Sequence, residues 1–483
     1  MPKTNLPMPL GFYTSQSLPV SSQRCVNWIP TVMQGGSLVP SALLGRHGIS
    51  QFTDTTKSIC RGGHVMDGTA YFVNGTSLVS VASDGAISIK GTVSGSKRCM
   101  FADNGSIMAI VVPGGNSYTF DGTDFEQITD PDFQVSDTVS FYRGFFVFTT
   151  TDGKQLFVSN LNQPNNFDAL DFGSAEGDPD RIVTQILDHD ELSIIGERTK
   201  EVFRLVGGAG FPLQIIPGAF TEKGAHSKYG AIKFDSSFLY LGGGVNEGTA
   251  VWRQTSSAQA AKISTDAIDC EIQKFTKEEI AEAFAMNFSD KGQSFALFTF
   301  NSSRIPSRTF VYNGTASSLS ESHVWFELQS GVTDAKWRVN AILKAYGKLL
   351  TGDSWGGKIG YLDASVKTEF DYPIFYQAAF QPFGRDGTTL FSGEFEATFE
   401  AGVGLTSGQG SNPVVRMDFS DDGGRTWSSE FSRSIGKIGA YEQRAVWRRQ
   451  GRIPFARTVR FTLTDPVTAN FIKLTANLEI GAQ

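Results

Sequence analysis

The sequence predicts an all-β protein: a β-propeller of about seven blades with a C-terminal β-sandwich. Three observations carry that expectation. A short apolar run, a Gly/Asn/Asp turn and a second apolar run recur about every 35–45 residues between residues 62 and 372. Beyond residue 373 the pattern changes to strict apolar/polar alternation, as in half-buried antiparallel strands. The 483 residues include 39 Phe and 52 Gly, a composition that suits many short strands joined by tight turns.

Residues 1–45 are Pro-, Ser- and Gly-rich and weakly periodic. They read as an extended N-terminal arm with Trp28 and Ile29 as anchors. It either ties neighbouring subunits together or packs on its own domain. A propeller must join its first and last blades, and Gly45–Phe52 (GRHGISQF) is placed to supply the closing strand. The first unit, HVMDGTAYFVNGTSLVSV, has hairpin signals at Asp67-Gly68 and Asn74-Gly75, with a third at Asp84-Gly85, since Asn and Gly tolerate positive φ. Its strands Ala70–Val73 and Leu78–Val81 are largely apolar, as expected of blades stacked on both faces. Five further units follow at FADNGSIMAIVV, VSFYRGFFVFTTTDGKQLFVSN, ELSIIGERTKEVFRLV, SSFLYLGGGVNEGTAVWR and KGQSFALFTF with RTFVYNG and HVWFEL. AYGKLLTGDSWGGKIGYLD makes the last. No WD or kelch signature accompanies the repeat.

One helix is expected within the propeller, over residues 276–287. Thr276 followed by Glu279 makes a capping box, and Ile280, Ala283 and Phe284 share a face at helical spacing. It reads as an interface or channel-facing element, or as a cover over a blade. The propeller is thus assigned to residues 46–372 and the sandwich to residues 373–483.

Composition narrows the function. The net charge is −7, from 42 basic and 49 acidic side chains, which argues against a DNA reader working by phosphate neutralisation. A mildly acidic wall is compatible with DNA sliding past it. Charged residues are 19% of the chain, low for a wholly solvated surface; either subunit contacts bury it or the fold is simply rich in Ser and Thr. Cys25, Cys60, Cys99 and Cys270 lack CxxC spacing, which suggests isolated thiols. His47, His64, His189, His226 and His323 lack metal spacing. No metal or cofactor is expected. The N-terminus shows no signal-peptide pattern, and no apolar run approaches the roughly 18 residues that span a bilayer.

Three clusters merit attention. Asp188-His189-Asp190-Glu191 puts carboxylates beside an imidazole, either for acid–base work or as a solvated turn. Ser420-Asp421-Asp422-Gly423-Gly424-Arg425-Thr426-Trp427 resembles the Asp-box hairpin of sialidases, in which Ser420, Asp422, Gly424 and Trp427 build a turn remote from catalysis. A sialidase would also need three arginines on the substrate carboxylate and a Tyr/Glu nucleophile pair, so a propeller glycosidase or glycan-binding tail protein stays as the alternative function. A peptide-binding scaffold is a third reading. The stretch RAVWRRQGRIPFARTVR stands out in an acidic chain. It either docks an acidic partner or nucleic acid or protects edge strands from pairing. Trp447, Arg448, Arg449 and Arg452 have the composition of a binding hot spot and, with Trp28, are the candidate interface residues.

RAVWRRQGRIPFARTVRFTLTDPV, IQKFTKEEIAEAFAMNF and RCVNWIP resemble the tail hub, or packaged-DNA stabilisation, proteins of short-tailed bacteriophages. The resemblance covers most of the chain in element order. It implies a structural, non-enzymatic virion tail protein, assembled in the host cytoplasm. It implies a hexameric ring beneath the portal and its adaptor, continuing the DNA channel without sequence specificity. A needle or tailspike protein would then close the tail below it.

Overall fold

In the computed structural model, residues 3–175, 180–207, 210–384 and 388–481 are described; the outermost residues of the 1–45 and 373–483 assignments therefore lie outside the described residues. Seven blade sheets follow one another in chain order. Their inner strands are Cys60–Met66, Met100–Asp103, Ser136–Tyr142, Ile182–Asp188, Ala231–Phe234, Phe284–Asp290 and Val339–Ala345. Each packs on the next, and the last packs on the first, which closes the ring.

The predicted closing strand is present. Gly48–Asp54 pairs antiparallel with Lys358–Asp363, the third strand of blade 7, in register from Lys358↔Asp54 to Asp363↔Gly48. The N-terminal part of the chain thus completes its last blade.

The repeat has a backbone signature. The turn from inner to second strand puts Asp67, Arg143, His189, Asp235, Lys291 and Tyr346 at φ of 46–54°. In four of these blades the next residue is a glycine, also at positive φ: Gly68, Gly144, Gly292 and Gly347. Two successive positive φ values make the turn whose twist matches a hairpin. Elsewhere a glycine serves close approach: a Cβ on Gly242 would sit 1.8 Å from the Gly224 carbonyl oxygen, so no side chain fits between these blade 5 strands.

The helix expected over residues 276–287 is corrected. The helix α2 is Lys277–Ala281, with the Thr276/Glu279 capping box in place. From Phe284 the chain is instead the inner strand of blade 6, paired residue by residue with Gln293–Phe300. Phe284, Ala285 and Met286 are all buried, and a short apolar run of that kind satisfies a buried strand as well as a helix. A preceding helix α1 (Asp266–Ile272) and a later one, α3 (Gly314–Ser320), complete the helical content of the described residues. Ile268, Ile272, Phe275 and Ile280 pack with Phe298, Phe300 and Phe310, so α1 and α2 cover blade 6. No helix among the described residues is long and apolar enough to cross a membrane.

The sandwich has two sheets. One runs Trp28–Val32, Ser41–Gly45, Phe471–Ile480, Leu390–Phe399, Ala445–Ile453, with Thr4–Leu6 alongside Phe471–Ile480. The other contains Tyr376–Ala379, Ala456–Leu463, Val414–Ser420 and Phe431–Ser434. Ser22–Val26 lies between Tyr376–Ala379 and the outer strand of blade 6, Trp325–Leu328. One sheet therefore runs from propeller into sandwich through a strand of the N-terminal segment. The N-terminal segment packs on its own chain through these strands.

Candidate functional site

The arginine stretch divides sharply. Ala445–Ile453 is the outer edge of its sheet, paired among the described residues only with Leu390–Phe399. Its alternation sends Ala445, Trp447 and Ile453 inward and Arg448, Arg449 and Arg452 outward. Trp447 is corrected: it is fully buried, packs edge-on against Phe461 and donates its indole N–H to the Phe431 carbonyl at 2.7 Å. Its side chain offers nothing to a partner. Trp28 is corrected in the same way. It is 0% exposed, lies among Tyr376, Phe399 and Phe471, and donates to the Ala469 carbonyl at 2.5 Å.

The outward arginines are weakly held. Arg448 is 3.7 Å from Glu394, Arg452 reaches the Thr389 hydroxyl at 3.5 Å, and Arg449 has no partner among the described residues. Arg449 sits at φ 59° where the register with Leu390–Phe399 slips, between Ser392 and Glu394. Such a bulge bends an edge strand and re-aims its side chains. Beside these arginines lie two exposed aromatics that sequence patterning missed: Phe391, directly opposite Arg452, and Phe455 in the following turn. Arginines and aromatics are the residue types enriched at partner surfaces. Edge charge also discourages strand addition, and both properties belong to the same strand.

Arg457 and Arg460 are structural. Arg457 is buried over the Phe419 ring and makes a paired contact of 2.7 Å through each of two nitrogens to Asp421. Arg460 pairs with Asp418 and lies 3.8 Å over Trp427.

The Asp-box-like turn is built as the motif requires. Ser420 Oγ donates to Asp422 at 2.7 Å and accepts from Gly424 N–H at 2.8 Å. The Asp422 carboxylate accepts from the Thr426 hydroxyl at 2.6 Å and from the amides of Arg425 and Thr426 at 2.9 Å. The Thr426 hydroxyl first, then the backbone amides and Ser420, hold this carboxyl well below the usual carboxylate range. A depressed folded pKa adds stability that is complete above the unfolded value of about 4 and is lost as pH falls further. Asp422→Asn is therefore expected to flatten the acid limb of the stability–pH curve, read as urea midpoints from pH 7 downward. Parallel wild-type and variant curves would show that the turn does not hold Asp422 ionised. The turn faces the N-terminal segment: a Cβ on Gly424 would lie 2.9 Å from Ser22, and one on Gly423 2.7 Å from Pro19.

The Asp188–Glu191 cluster is the inner hairpin turn of blade 4. His189 is an exposed turn residue at φ 51°, and Asp190 pairs with Arg143 of the neighbouring turn. The histidines disperse: His64 meets Asp103, His226 meets Thr249 and His47 meets Asp290.

A propeller enzyme of the sialidase kind would gather acids and arginines at the axis. Here side chains cross the axis where the inner strands begin. Arg98, entering blade 2, stacks 4.1 Å over Phe284 of blade 6 and donates to the Asn340 carbonyl of blade 7 at 2.7 Å. Lys228, entering blade 5, reaches Asp137 of blade 3 at 2.7 Å. Contacts between blades that are not neighbours are possible only through the middle of the ring. Tyr229 and Lys336 fill the same region.

Two family models match the chain. One, described as bacteriophage P22 Gp10, β-propeller, matches residues 4–367; the other, bacteriophage P22 Gp10, β-sandwich, matches residues 381–479. No curated protein matches by sequence. Among solved structures, the chain is similar to the computationally designed Ika8 protein (13% identity, 65% of this chain and 99% of that one, TM-score 0.35). It is also similar to an exo-β-1,3-galactanase from Phanerochaete chrysosporium (8% identity, 80% and 97%, TM-score 0.31). A third is BBS1N in complex with ARL6DN (10% identity, 66% and 98%, TM-score 0.38). These structural likenesses are too weak to speak to function.

Proposed function

The chain belongs to the bacteriophage P22 Gp10 family, and from that premise we propose that it is the hub of a phage tail. At the coarser level it is a structural, non-enzymatic protein of the virion tail that stabilises packaged DNA. The observation that carries this is the match of both family models, one to each part of the fold. In finer detail, copies of the chain form a ring, a hexamer in our reading, that docks below the portal and its adaptor. The ring continues the DNA channel, and a needle or tailspike protein engages its far side. Assembly takes place in the host cytoplasm, before the tail is closed.

Two features support the finer reading. The propeller axis is crossed by Arg98–Phe284 and Lys228–Asp137, so a DNA path has to lie between subunits. The continuous sheet from blade 6 into the sandwich couples the two parts stiffly, as a component under load from packaged DNA needs. Arg448, Arg449 and Arg452, with Phe391 and Phe455, are the proposed contact surface toward acidic partner groups. Arg448→Glu with Arg449→Glu is expected to weaken that contact by about 2 kcal/mol or more. The check is the mass of the purified chain alone and mixed with portal–adaptor complex. Undiminished assembly, and particles that keep their DNA, would remove this patch from the model.

A further inference from the structure

The plug at the propeller axis holds cations that the protein does not neutralise. Arg98 and Lys336 are partly buried and share one ring: the guanidinium is 4.1 Å and the ammonium 5.7 Å from the Phe284 centroid. The two charges are thus closer than the sum of those distances. Their only polar partners among the described residues are atoms of Asn340: its carbonyl takes Arg98 at 2.7 Å and its side-chain oxygen takes Lys336 at 3.2 Å. The nearby carboxylates are engaged elsewhere. Asp137 is bound to Lys228 at 2.7 Å, Asp353 to Arg338 at 2.7 Å, and Glu282 is exposed and pairs with neither cation.

A third group points the same way. Tyr229 is 4% exposed and its hydroxyl has no hydrogen-bond partner among the described residues. It bridges in parallel with Phe284, the residue whose ring both cations share. A buried hydroxyl without a partner is destabilising, and so are two partly buried like charges with no carboxylate paired to either. Burial, with Arg98 adding to it and Asp353 opposing it only in part, pushes the Lys336 amine down to about 8, as expected of a cation with no carboxylate paired to it.

We propose that this end of the propeller axis binds a small tetrahedral oxyanion of the phosphate class, with Arg98 and Lys336 supplying the charge and the Tyr229 hydroxyl a further donor. A compact dianion answers each deficit at once: it neutralises two cations and accepts from an unused hydroxyl. The groups come from blades 2, 5, 6 and 7, so the anion would act as a keystone across the ring. The site is independent of the tail-hub reading, because it needs only the single chain.

The test uses the purified full chain and inorganic phosphate, with sodium chloride at matched ionic strength as the control. Thermal midpoints should rise with phosphate in a saturable way, and calorimetry should show one site per chain. Lys336→Met removes one cation for an apolar side chain of similar length and should weaken phosphate binding by about tenfold or more. Tyr229→Phe removes only the hydroxyl; it should weaken binding while leaving the midpoint in chloride unchanged or higher. The second variant keeps the test decisive should the first fold poorly. A short 5′-phosphorylated oligonucleotide serves as the other arm: it should compete weakly or not at all. Stabilisation by phosphate no greater than by chloride, or wild-type phosphate dependence in both variants, would overturn the proposal.

Discussion

Arg46→Met is expected to destabilise the chain by about 3–5 kcal/mol, because it strands a buried carboxylate. Arg46 is 4% and Glu369 1% exposed, and the guanidinium meets that carboxylate at 2.6 Å. The same guanidinium donates to Asn27 Oδ1 at 2.9 Å and to the Gln329 carbonyl at 3.2 Å, and Glu369 also accepts from the Trp337 indole at 2.7 Å. These residues come from the N-terminal segment, the blade 6–7 junction and the short strand that follows blade 7. Arg46 itself stands two residues before the closing strand. Losing it therefore loosens ring closure and the sandwich junction together. Chemical denaturation of the single variant measures the loss. The double variant Arg46→Met/Glu369→Leu should recover much of it, since neither charge is then left alone. A loss below about 1 kcal/mol in the single variant, the level of a surface pair, would show that this junction does not carry ring closure.

Much of this architecture was legible in the sequence because it is local. Asn74-Gly75 and Asp67-Gly68 mark hairpins whose two strands are adjacent in the chain, and the turn chemistry alone places them. The closing strand was legible for a topological reason: a ring of blades needs one strand from the far end, and Gly45–Phe52 stands immediately before the first blade. What stayed hidden depends on distant partners. Ser22–Val26 is a strand because Glu327 and Ala378 lie on either side of it, and nothing near residue 22 announces either. The stretch Phe284–Met286 was misread because its helical spacing and its buried-strand character coincide, and only its pairing with Gln293–Phe300 decides between them.

The candidate surface shows the same limit on a finer scale. Phe391 and Phe395 are an even number apart, so simple alternation puts them on one face. The register slip between Ser392 and Glu394 breaks that phase: Phe395 is buried and Phe391 is 44% exposed. Trp447 illustrates the converse. Its arginine neighbours suggested a contact residue, but alternation along Ala445–Ile453 turns it inward while Arg448 turns outward. Composition located the strand, and backbone phase decided which of its side chains a partner can touch.

Trp28→Ala is expected to cost about 3–5 kcal/mol, the range for removing a fully buried aromatic. The indole fills space between Tyr376, Phe399 and Phe471, at centroid distances of 5.5, 6.4 and 6.0 Å. Its removal also leaves the Ala469 carbonyl without its donor. Trp28→Phe should restore part of the packing but not that hydrogen bond, and so fall between. The variant also separates the two readings of the N-terminal segment. Trp28–Val32 and Ser41–Gly45 form a hairpin within one chain, in register from Trp28↔Gly45 to Val32↔Ser41, so the loss should not vary with protein concentration. If the segment were instead exchanged between subunits, stability would rise with concentration in the wild type, and Trp28→Ala would abolish that rise. Thermal midpoints over a hundredfold range of dilution distinguish the outcomes. A concentration-dependent midpoint that Trp28→Ala abolishes would mean that the hairpin belongs to the ring, and that Trp28 acts between chains after all.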